Sequence, residues 1–135
     1  MKRQYLLIVD DDPTILQLTA SLFKREGIEV YCAANGEEAL LLLKEKVFHM
    51  LITDLNMPGM LGFELAGIVR ERFPAIYICM MSGDVSVETL KRARMAGIEN
   101  VFEKPLNLSQ LVETTRKVFD AGNEMRCVER QCPDT

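Results

Sequence analysis

The chain has 135 residues, of which 48% are hydrophobic and 27% are charged, and its formal net charge is −4. This length suits one domain with a buried core, so folding requires neither disulfides nor a structural metal. The acidic balance and the lack of a long basic run argue against a nucleic-acid-binding surface. No apolar stretch is long enough for a signal peptide or a transmembrane helix, so the cytoplasm is the expected compartment.

The first predicted elements alternate between strands and helices. Residues 5–9 are continuously apolar, which is typical of a strand buried on both faces. Asp12 is the expected N-cap of a helix over 13–26, because a proline follows it at the first helical position. A second strand is predicted over 28–33, and Asn35 is the expected N-cap of the next helix.

The rest of the chain repeats this alternation. Short apolar runs predict strands, helical periodicity predicts helices, and glycine or proline marks several turns. From residue 122 the periodicity stops, so 122–135 is expected to be a polar tail or the start of a linker. The further predicted helices span 36–46, 62–72, 86–96 and 108–121, and the further predicted strands span 51–54, 75–81 and 99–103.

Five strands alternating with five helices predict an α/β fold with helices on both faces of a parallel sheet. We expect a single doubly wound domain over 1–121, whose five-stranded sheet has the flavodoxin-like strand order 2-1-3-4-5. In such sheets, ligands bind at the carboxyl ends of the strands. Polar side chains that directly follow the strands are therefore the candidates for a functional site.

Four of the predicted strands end in polar residues that could meet at this edge. Carboxylates about 4 Å apart repel by about 4 kcal/mol at an effective dielectric near 20, so several of them together need a counterion. Mg²⁺ fits, because it binds a few carboxylates and keeps several waters. The polar residues are Asp10, Asp11 and Asp12 after the first strand, Asp54 and Asn56 after the third, Ser82-Gly83-Asp84 after the fourth, and Lys104 after the fifth.

A carboxylate beside Mg²⁺, a lysine and a hydroxyl is suited to accept a phosphoryl group. Such a transfer depends on positioning and on neutralising the equatorial phosphoryl oxygens. One oxygen can bind the metal, one Lys104, and one the Ser82 hydroxyl with nearby backbone amides. The expected acceptor is Asp54, which stands alone after its strand while Asp10 and Asp11 hold the metal.

At these positions the sequence resembles the receiver domain of two-component response regulators. The resemblance extends from residue 4 to about residue 120. It implies that Asp54 accepts a phosphoryl group from a phosphohistidine on a sensor histidine kinase or a histidine phosphotransfer protein. The motifs are Leu-Leu-Ile-Val-Asp-Asp at 6–11, Ile-Thr-Asp-Leu-Asn-Met-Pro-Gly at 52–59, Met-Ser-Gly at 81–83 and Glu-Lys-Pro at 103–105.

The resemblance also implies a role for each residue of the site. The domain would catalyse only its own phosphorylation and dephosphorylation, so it is not expected to be an enzyme acting on a separate substrate. By position, the metal ligands would be Asp11, Asp54, the backbone carbonyl of Asn56 and, through a bound water, Asp10, while Ser82 and Lys104 would bind the phosphoryl group.

The output of such a domain follows from the same resemblance. Phosphorylation would shift a pre-existing equilibrium at the fourth helix, the fifth strand and the fifth helix, which form the usual output face. The recipient would be a downstream protein or a C-terminal output domain outside this chain. A phosphorylation-dependent homodimer is a further expectation.

One position departs from the family pattern. Receivers usually carry Tyr or Phe three residues before the lysine, where this chain has Val101. The neighbouring Phe102 is expected to face the core on the other side of the strand, because side chains alternate along a strand. A switch would then rely on Ser82 and on movement of the loop around Gly83. The resemblance implies that Asp84, two residues past the serine, influences the dephosphorylation rate.

Two other interpretations remain open. Residues 10–14 match the Asp-x-Asp-x-Thr opening of haloacid-dehalogenase-like phosphatases, with Asp10 as nucleophile and Asp12 as general acid. That interpretation gives Asp54 no role, and it requires a further acidic motif, whereas one helical pattern and a tail follow the lysine. The other is a pure binding module, which is disfavoured because no glycine-rich phosphate loop follows the first strand. A receiver that has lost phosphorylation would normally lack one of Asp11, Asp54 and Lys104, and all three are present here.

Two features near the site have a structural interpretation as well as a functional one. His49, the single histidine, directly precedes the third predicted strand and is expected to be structural. Lys91, Arg92 and Arg94 make the fourth helix basic, which favours a solvated face and leaves a partner contact as the second interpretation.

Overall fold

Five strands alternate along the chain with five helices. The computed structural model describes the backbone of residues 4–129 and the side chains of residues 4–120. The strands are β1 (Tyr5–Val9), β2 (Glu29–Ala33), β3 (Met50–Asp54), β4 (Tyr77–Ser82) and β5 (Asn100–Glu103). The helices are α1 (Pro13–Arg25), α2 (Gly36–Glu45), α3 (Gly62–Arg72), α4 (Val87–Met95) and α5 (Leu108–Glu129).

The strands form one parallel sheet in the order β2-β1-β3-β4-β5. This confirms the predicted doubly wound fold and its flavodoxin-like strand order. The register pairs Val9 of β1 with Thr53 of β3, and Asp54 with Met81 of β4. Because all strands are parallel, their carboxyl ends meet at one edge, and the residues after β1 and β3 leave the sheet at the same level.

Two apolar cores, one on each face of the sheet, hold the helices in place. On one face, Phe23 of α1 and Leu111 of α5 are fully buried. On the other face, Leu43 of α2, Leu65 of α3 and Ala93 of α4 are buried. The central strands β1 and β3 are covered on both sides, which explains why β1 is continuously apolar and why β3 begins with three apolar residues.

The helix starts follow the predicted capping residues. The side chain of Asp12 accepts a hydrogen bond from the backbone N–H of Thr14 at 2.9 Å at the start of α1. The side chain of Asn35 accepts one from the backbone N–H of Glu38 at 2.9 Å at the start of α2. Both N-cap predictions are confirmed. Within residues 4–129, no helix combines the length and the apolar content that crossing a bilayer requires.

The last helix is longer than the sequence pattern predicts. Helix α5 continues past the predicted end at residue 121 and ends at Glu129. A glycine inside a helix costs only about 1 kcal/mol, and the glutamate, methionine and arginine that follow Gly122 are good helix formers. The prediction that the pattern ends at 122 was therefore wrong for 122–129, and the rest of the predicted tail lies outside the described residues.

The start of α3 packs directly against the end of β3. A Cβ atom on Gly62 would lie 2.5 Å from the backbone oxygen of Asp54 and 3.0 Å from the Cα of Leu55. The N–H of Gly62 also donates to the backbone oxygen of Leu55 at 2.8 Å. The missing side chain at position 62 lets the loop close, and it thereby fixes the strand end that carries Asp54.

We predict that Gly62→Ala lowers the free energy of unfolding by about 1–3 kcal/mol, because the backbone at Asp54 must shift to admit the methyl group. Gly67→Ala is the matched control, since it lies in the same helix and a Cβ there meets no atom within 4 Å. It should be neutral or stabilise the protein by about 1 kcal/mol. Urea unfolding measures both, and equal free energies for the two variants would contradict the close-packing argument.

Candidate functional site

Three carboxylates meet where β1 and β3 end. Asp10, Asp11 and Asp54 each offer an oxygen, and these oxygens all lie within 4.8 Å of one another. Asp10 and Asp54 are buried, at 1% and 6% exposure, whereas Asp11 is exposed. The structure therefore brings together three of the acidic residues that the sequence placed at this edge, one of them open to solvent, whereas Asp12 and Asp84 accept backbone N–H groups elsewhere.

Asp10 holds a buried oxygen without a hydrogen-bond partner. Its Oδ1 accepts the backbone N–H of Asp12 at 3.0 Å. Among the buried side-chain nitrogen and oxygen atoms of the described residues, its Oδ2 is the one that lacks such a partner. Burial raises the pKa of Asp10 above its ordinary value; the Asp12 N–H opposes this shift and the charge of Asp54 adds to it. A buried oxygen that accepts no hydrogen bond and lies amid carboxylates fits a hard cation such as Mg²⁺.

Lys104 reaches this cluster from the end of β5. Its Nζ lies 3.0 Å from Oδ1 of Asp54 and 3.6 Å from Oδ2 of Asp10. Burial lowers the pKa of Lys104, but the hydrogen bond to Asp54 and the charges of both carboxylates outweigh it and raise the pKa above its ordinary value. The ammonium group therefore stays charged and neutralises part of the negative charge. The backbone N–H of Lys104 donates to the backbone oxygen of Ser82 at 2.9 Å, which ties β5 to β4.

The Ser82 hydroxyl lies at the same edge, but its proton is directed into the following loop. Ser82 is 1% exposed. Its Oγ donates to the backbone oxygen of Asp84 at 2.9 Å and accepts the backbone N–H of Asp84 at 2.9 Å. The predicted phosphoryl-binding hydroxyl is thus engaged with the loop and not with the carboxylates.

Asp84 in turn is joined to the first turn of α4. Its Oδ1 accepts the backbone N–H of Ser86 at 2.9 Å, and its Oδ2 accepts the hydroxyl proton of Thr89 at 2.8 Å. These hydrogen bonds, that of the Ser86 N–H first, hold the pKa of Asp84 below its ordinary value. Sequence reasoning did not identify Ser86 and Thr89, although a serine followed three residues later by a threonine at a helix start was the available signal.

Asn56 lies in the loop after β3 with its side chain exposed. The loop is tied to β4, because the N–H of Leu55 donates to the backbone oxygen of Met81 at 3.0 Å. The resemblance implies that Asn56 contributes its backbone carbonyl as a metal ligand. That role stays a prediction.

The position of the usual switch aromatic is filled by a half-buried valine. Phe102 is 5% exposed and belongs to the core under α1 and α5. Val101 packs against the core on the opposite face. The predicted alternation is confirmed, so the aromatic side chain points away from the face on which a switch residue would move.

The remaining candidate residues pack within the fold. His49 lies at the start of β3, at the opposite edge from the carboxylates. Its Nδ1 accepts the backbone N–H of Tyr5 at 3.1 Å, and its ring stacks on that of Tyr5 at 6.0 Å. On α4, the Arg92 guanidinium lies 4.4 Å from the centre of the Phe63 ring of α3. One of the three basic residues of α4 thus packs against a neighbouring helix and not against solvent alone.

Both the sequence and the fold of this chain match those of known proteins. A family model described as the response regulator receiver domain matches residues 6–116. The heme response regulator HssR of Staphylococcus aureus is 32% identical over 117 residues, which cover 87% of this chain and 52% of that protein. The chain thus spans about half the length of the curated relatives it matches.

Solved structures of similar proteins have the same fold. The chemotaxis response regulator CheY4 of Vibrio cholerae superposes with a TM-score of 0.82 at 32% identity, covering 87% of this chain and 99% of that one. A CheY-like receiver domain protein from Methanospirillum hungatei gives 0.87 at 30% identity, covering 92% and 99%. The response regulator TrrA of Thermotoga maritima, solved in complex with Mg²⁺ and BeF, gives 0.77 at 29% identity, covering 85% and 98%.

The raised pKa of Asp10 predicts how a neutral substitute changes stability. The folded protein holds the Asp10 proton more tightly than the unfolded chain does, so that contribution to stability is present at low pH and is lost as pH rises through the folded pKa. Asp10→Asn should therefore stabilise the metal-free protein at pH 7, because the neutral amide avoids the cost of burying a charge; the repulsion from Asp54 that it also removes is worth about 1 kcal/mol at 4 Å even in water.

Urea unfolding in EDTA at several pH values measures this effect. The advantage of Asp10→Asn should shrink as pH falls below the ordinary carboxyl pKa, where the wild-type side chain is also neutral. Asp120→Asn, an exposed position on α5, is the matched control and should change little. A variant that is less stable than wild type at pH 7 would contradict the prediction.

Proposed function

This chain belongs to the response regulator receiver family, and we propose that its Asp54 accepts the phosphoryl group in a Mg²⁺-dependent reaction. The observation that carries the proposal is the ion pair between Asp54 and Lys104 at 3.0 Å, within the cluster of three carboxylates. A receiver functions as a phosphoacceptor in two-component signalling. The assignment of the acceptor among the three carboxylates is the step that the geometry supports.

The burial and contacts of the carboxylates favour Asp54 as the acceptor. Asp10 is more deeply buried, and one of its oxygens is engaged by the Asp12 N–H. Asp11 is exposed, so water competes for its charge. Asp54 combines burial with the shorter of the two contacts to Lys104, at 3.0 Å against 3.6 Å for Asp10, and a nucleophile for phosphoryl transfer needs a positive group beside the incoming oxygens.

The other residues would neutralise charge around the transferred group. Asp11, Asp54 and the backbone carbonyl of Asn56, with Asp10 through a water, would hold Mg²⁺, which supplies positive charge to a phosphoryl oxygen when bound. Lys104 contacts the acceptor carboxylate, and its ammonium group would neutralise negative charge on the oxygens of a phosphoryl group bound there. In the transfer, an Asp54 oxygen forms the bond to phosphorus while the donor's bond to phosphorus breaks. The domain would thus catalyse only its own phosphorylation and dephosphorylation.

The phosphatase alternative receives less support. It assigns Asp12 as the general acid, yet the Asp12 carboxylate caps α1 by accepting the N–H of Thr14 at 2.9 Å. It also leaves the Lys104–Asp54 ion pair without a function. The interpretation of Asp54 as the phosphoryl acceptor gives both Lys104 and Asp54 a function.

Partners follow from this role as proposals. The phosphoryl donor would be a sensor histidine kinase or a histidine phosphotransfer protein, and the domain would act in the cytoplasm. The output would pass through α4, β5 and α5, where Val87 and Met95 of α4 are 81% and 77% exposed. It would reach a downstream protein or a C-terminal output domain outside this chain, and a phosphorylation-dependent homodimer is one form that such an output could take.

Direct phosphorylation tests the acceptor. With Mg²⁺ and acetyl phosphate, the wild-type chain should gain one phosphoryl group by mass, in an acid-stable and base-labile adduct that maps to Asp54. Asp54→Asn should abolish the adduct, whereas Asp12→Asn, a nearby carboxylate that caps α1, should retain it. An adduct on Asp10, or turnover of a phosphate ester that survives Asp54→Asn, would overturn the proposal.

Thermal unfolding tests the metal site independently. A ligand that binds only the folded state stabilises it by about 1.4 kcal/mol at ten times its dissociation constant, so Mg²⁺ should raise the melting temperature. Asp11→Asn should lose most of this rise because it removes a charged ligand. Asp12→Asn should keep it. Equal Mg²⁺ effects in the two variants would contradict the assignment of Asp11.

A further inference from the structure

The loop that carries Asn56 is closed at its two ends. The N–H of Gly62 donates to the backbone oxygen of Leu55 at 2.8 Å, so residues 55–62 form a compact loop between β3 and α3. Inside it, Gly59 has a φ of +86°, which lies in the left-handed region that glycine adopts without strain. The backbone between these closed ends depends on side-chain anchors for its position.

Two methionine side chains anchor the 55–62 loop to the rest of the fold. Met57 is 6% exposed and belongs to the core on the side of α2, α3 and α4. Met60 is half-buried, and its side chain packs across Gly36 in the first turn of α2. A Cβ atom on Gly36 would lie 2.5 Å from the Sδ, 3.1 Å from the Cβ and 3.2 Å from the Cγ of Met60. Met60 therefore occupies the space that any side chain at position 36 would take.

The start of α2 is itself fixed, so it offers the loop a firm surface. The side chain of Asn35 accepts the N–H of Glu38 at 2.9 Å, and the Oε1 of Glu38 accepts the N–H of Ala34 at 2.9 Å. This reciprocal capping satisfies two backbone donors at the helix start. The backbone oxygen of Ala33, one residue earlier, accepts the N–H of Asp10 at 3.1 Å. The surface under the loop is thus tied to the strand end that carries a carboxylate of the site.

We propose that Met60 is a positioning residue for the divalent cation. By packing on Gly36, it holds the 55–62 loop in the arrangement in which the backbone carbonyl of Asn56 serves as a metal ligand. The inference rests on the proposed function, in which Asn56 and the carboxylates hold Mg²⁺. A backbone ligand has no rotamer of its own, so its direction depends on whatever holds the loop. The missing side chain at position 36 then supports the metal site from a different helix.

Loss of this contact should weaken Mg²⁺ binding. Met60→Ala removes the packing on Gly36 and leaves every proposed ligand and the net charge unchanged. Groups that orient metal ligands typically change metal affinity by about 10- to 100-fold when they are mutated. Because the loop remains closed at its ends, we expect the dissociation constant for Mg²⁺ to rise about tenfold, the lower end of that range. The measurement is an NMR titration of the isotope-labelled full chain with Mg²⁺, followed through its amide shifts.

Two matched variants and a second readout separate positioning from a general loss of packing. Met60→Leu keeps an apolar side chain of similar volume and should bind Mg²⁺ with wild-type affinity. Met95→Ala also removes a methionine, but Met95 is 77% exposed on α4, so its affinity should match the wild type. In the metal-free protein, NMR order parameters of residues 56–60 should fall in Met60→Ala and stay unchanged in Met60→Leu.

The contact can also be tested from the side of α2. Gly36→Ala places a methyl group 2.5 Å from the Met60 sulfur, so it should displace that side chain and weaken Mg²⁺ binding as Met60→Ala does. In the Met60→Ala background the space is free, and Gly36→Ala should have no further effect. Gly67→Ala is the control, because a Cβ there meets no atom within 4 Å, and it should keep wild-type affinity.

The outcomes separate this inference from the proposed function. If the wild type binds no Mg²⁺, the proposed function fails and the positioning role falls with it. If the wild type binds Mg²⁺ and Met60→Ala binds it equally well, only the positioning role is overturned, and a lower melting temperature of that variant then reflects a structural role alone. Wild-type affinity in Gly36→Ala overturns it likewise, whether or not Met60→Ala folds. Additive losses in the double variant would also contradict it, because the two residues would then act by separate routes.

Discussion

The carboxylates of Asp10, Asp11 and Asp54 lie within 4.8 Å of one another, and the Lys104 ammonium contacts two of them. Like charges at such distances repel, and burial of two of the three groups strengthens the repulsion. One ammonium cannot balance three carboxylates. The edge of the sheet therefore carries excess negative charge, which favours the binding of a cation such as Mg²⁺.

The fold tolerates the repulsion among the carboxylates because its two apolar cores hold the strand ends in position. The central strands are buried on both faces, so the residues that follow them cannot move apart to relieve the repulsion. Gly62 keeps α3 against the end of β3, within a distance that no side chain would allow. The rigidity of the apolar layers thus preserves a site that is electrostatically unfavourable without its ligands, as is common where stability and function compete.

The route from the site to the surface is built from polar groups. Phe102 is buried in the core under α1 and α5, and Val101 packs against the core on the opposite face of β5. The chain from Ser82 through Asp84 to Thr89 instead joins the site to α4 by short hydrogen bonds. Each hydroxyl has one proton to donate, so Ser82 and Thr89 are each engaged with one acceptor atom of Asp84.

The sequence alone determined the alternation of strands and helices in a parallel sheet, the burial of β1, and the residue types at the carboxyl ends of the strands. These follow from local periodicity, capping residues and the rule that parallel strands end at one edge. Alternation along β5 was enough to assign Phe102 to the core. The end of α5 was not determined, because a glycine is only a weak helix stop and Gly122 does not end this helix.

Only the tertiary structure decided which partners the side chains at this edge engage. The sequence placed Asp10, Asp54 and Lys104 near one another. It showed neither that one oxygen of Asp10 accepts no hydrogen bond nor that Lys104 lies 3.0 Å from Asp54. It also did not show that the Ser82 proton is given to Asp84. Periodicity specifies which residue leaves which strand, whereas the direction of a hydroxyl proton depends on loop geometry, for which a sequence pattern carries no signal.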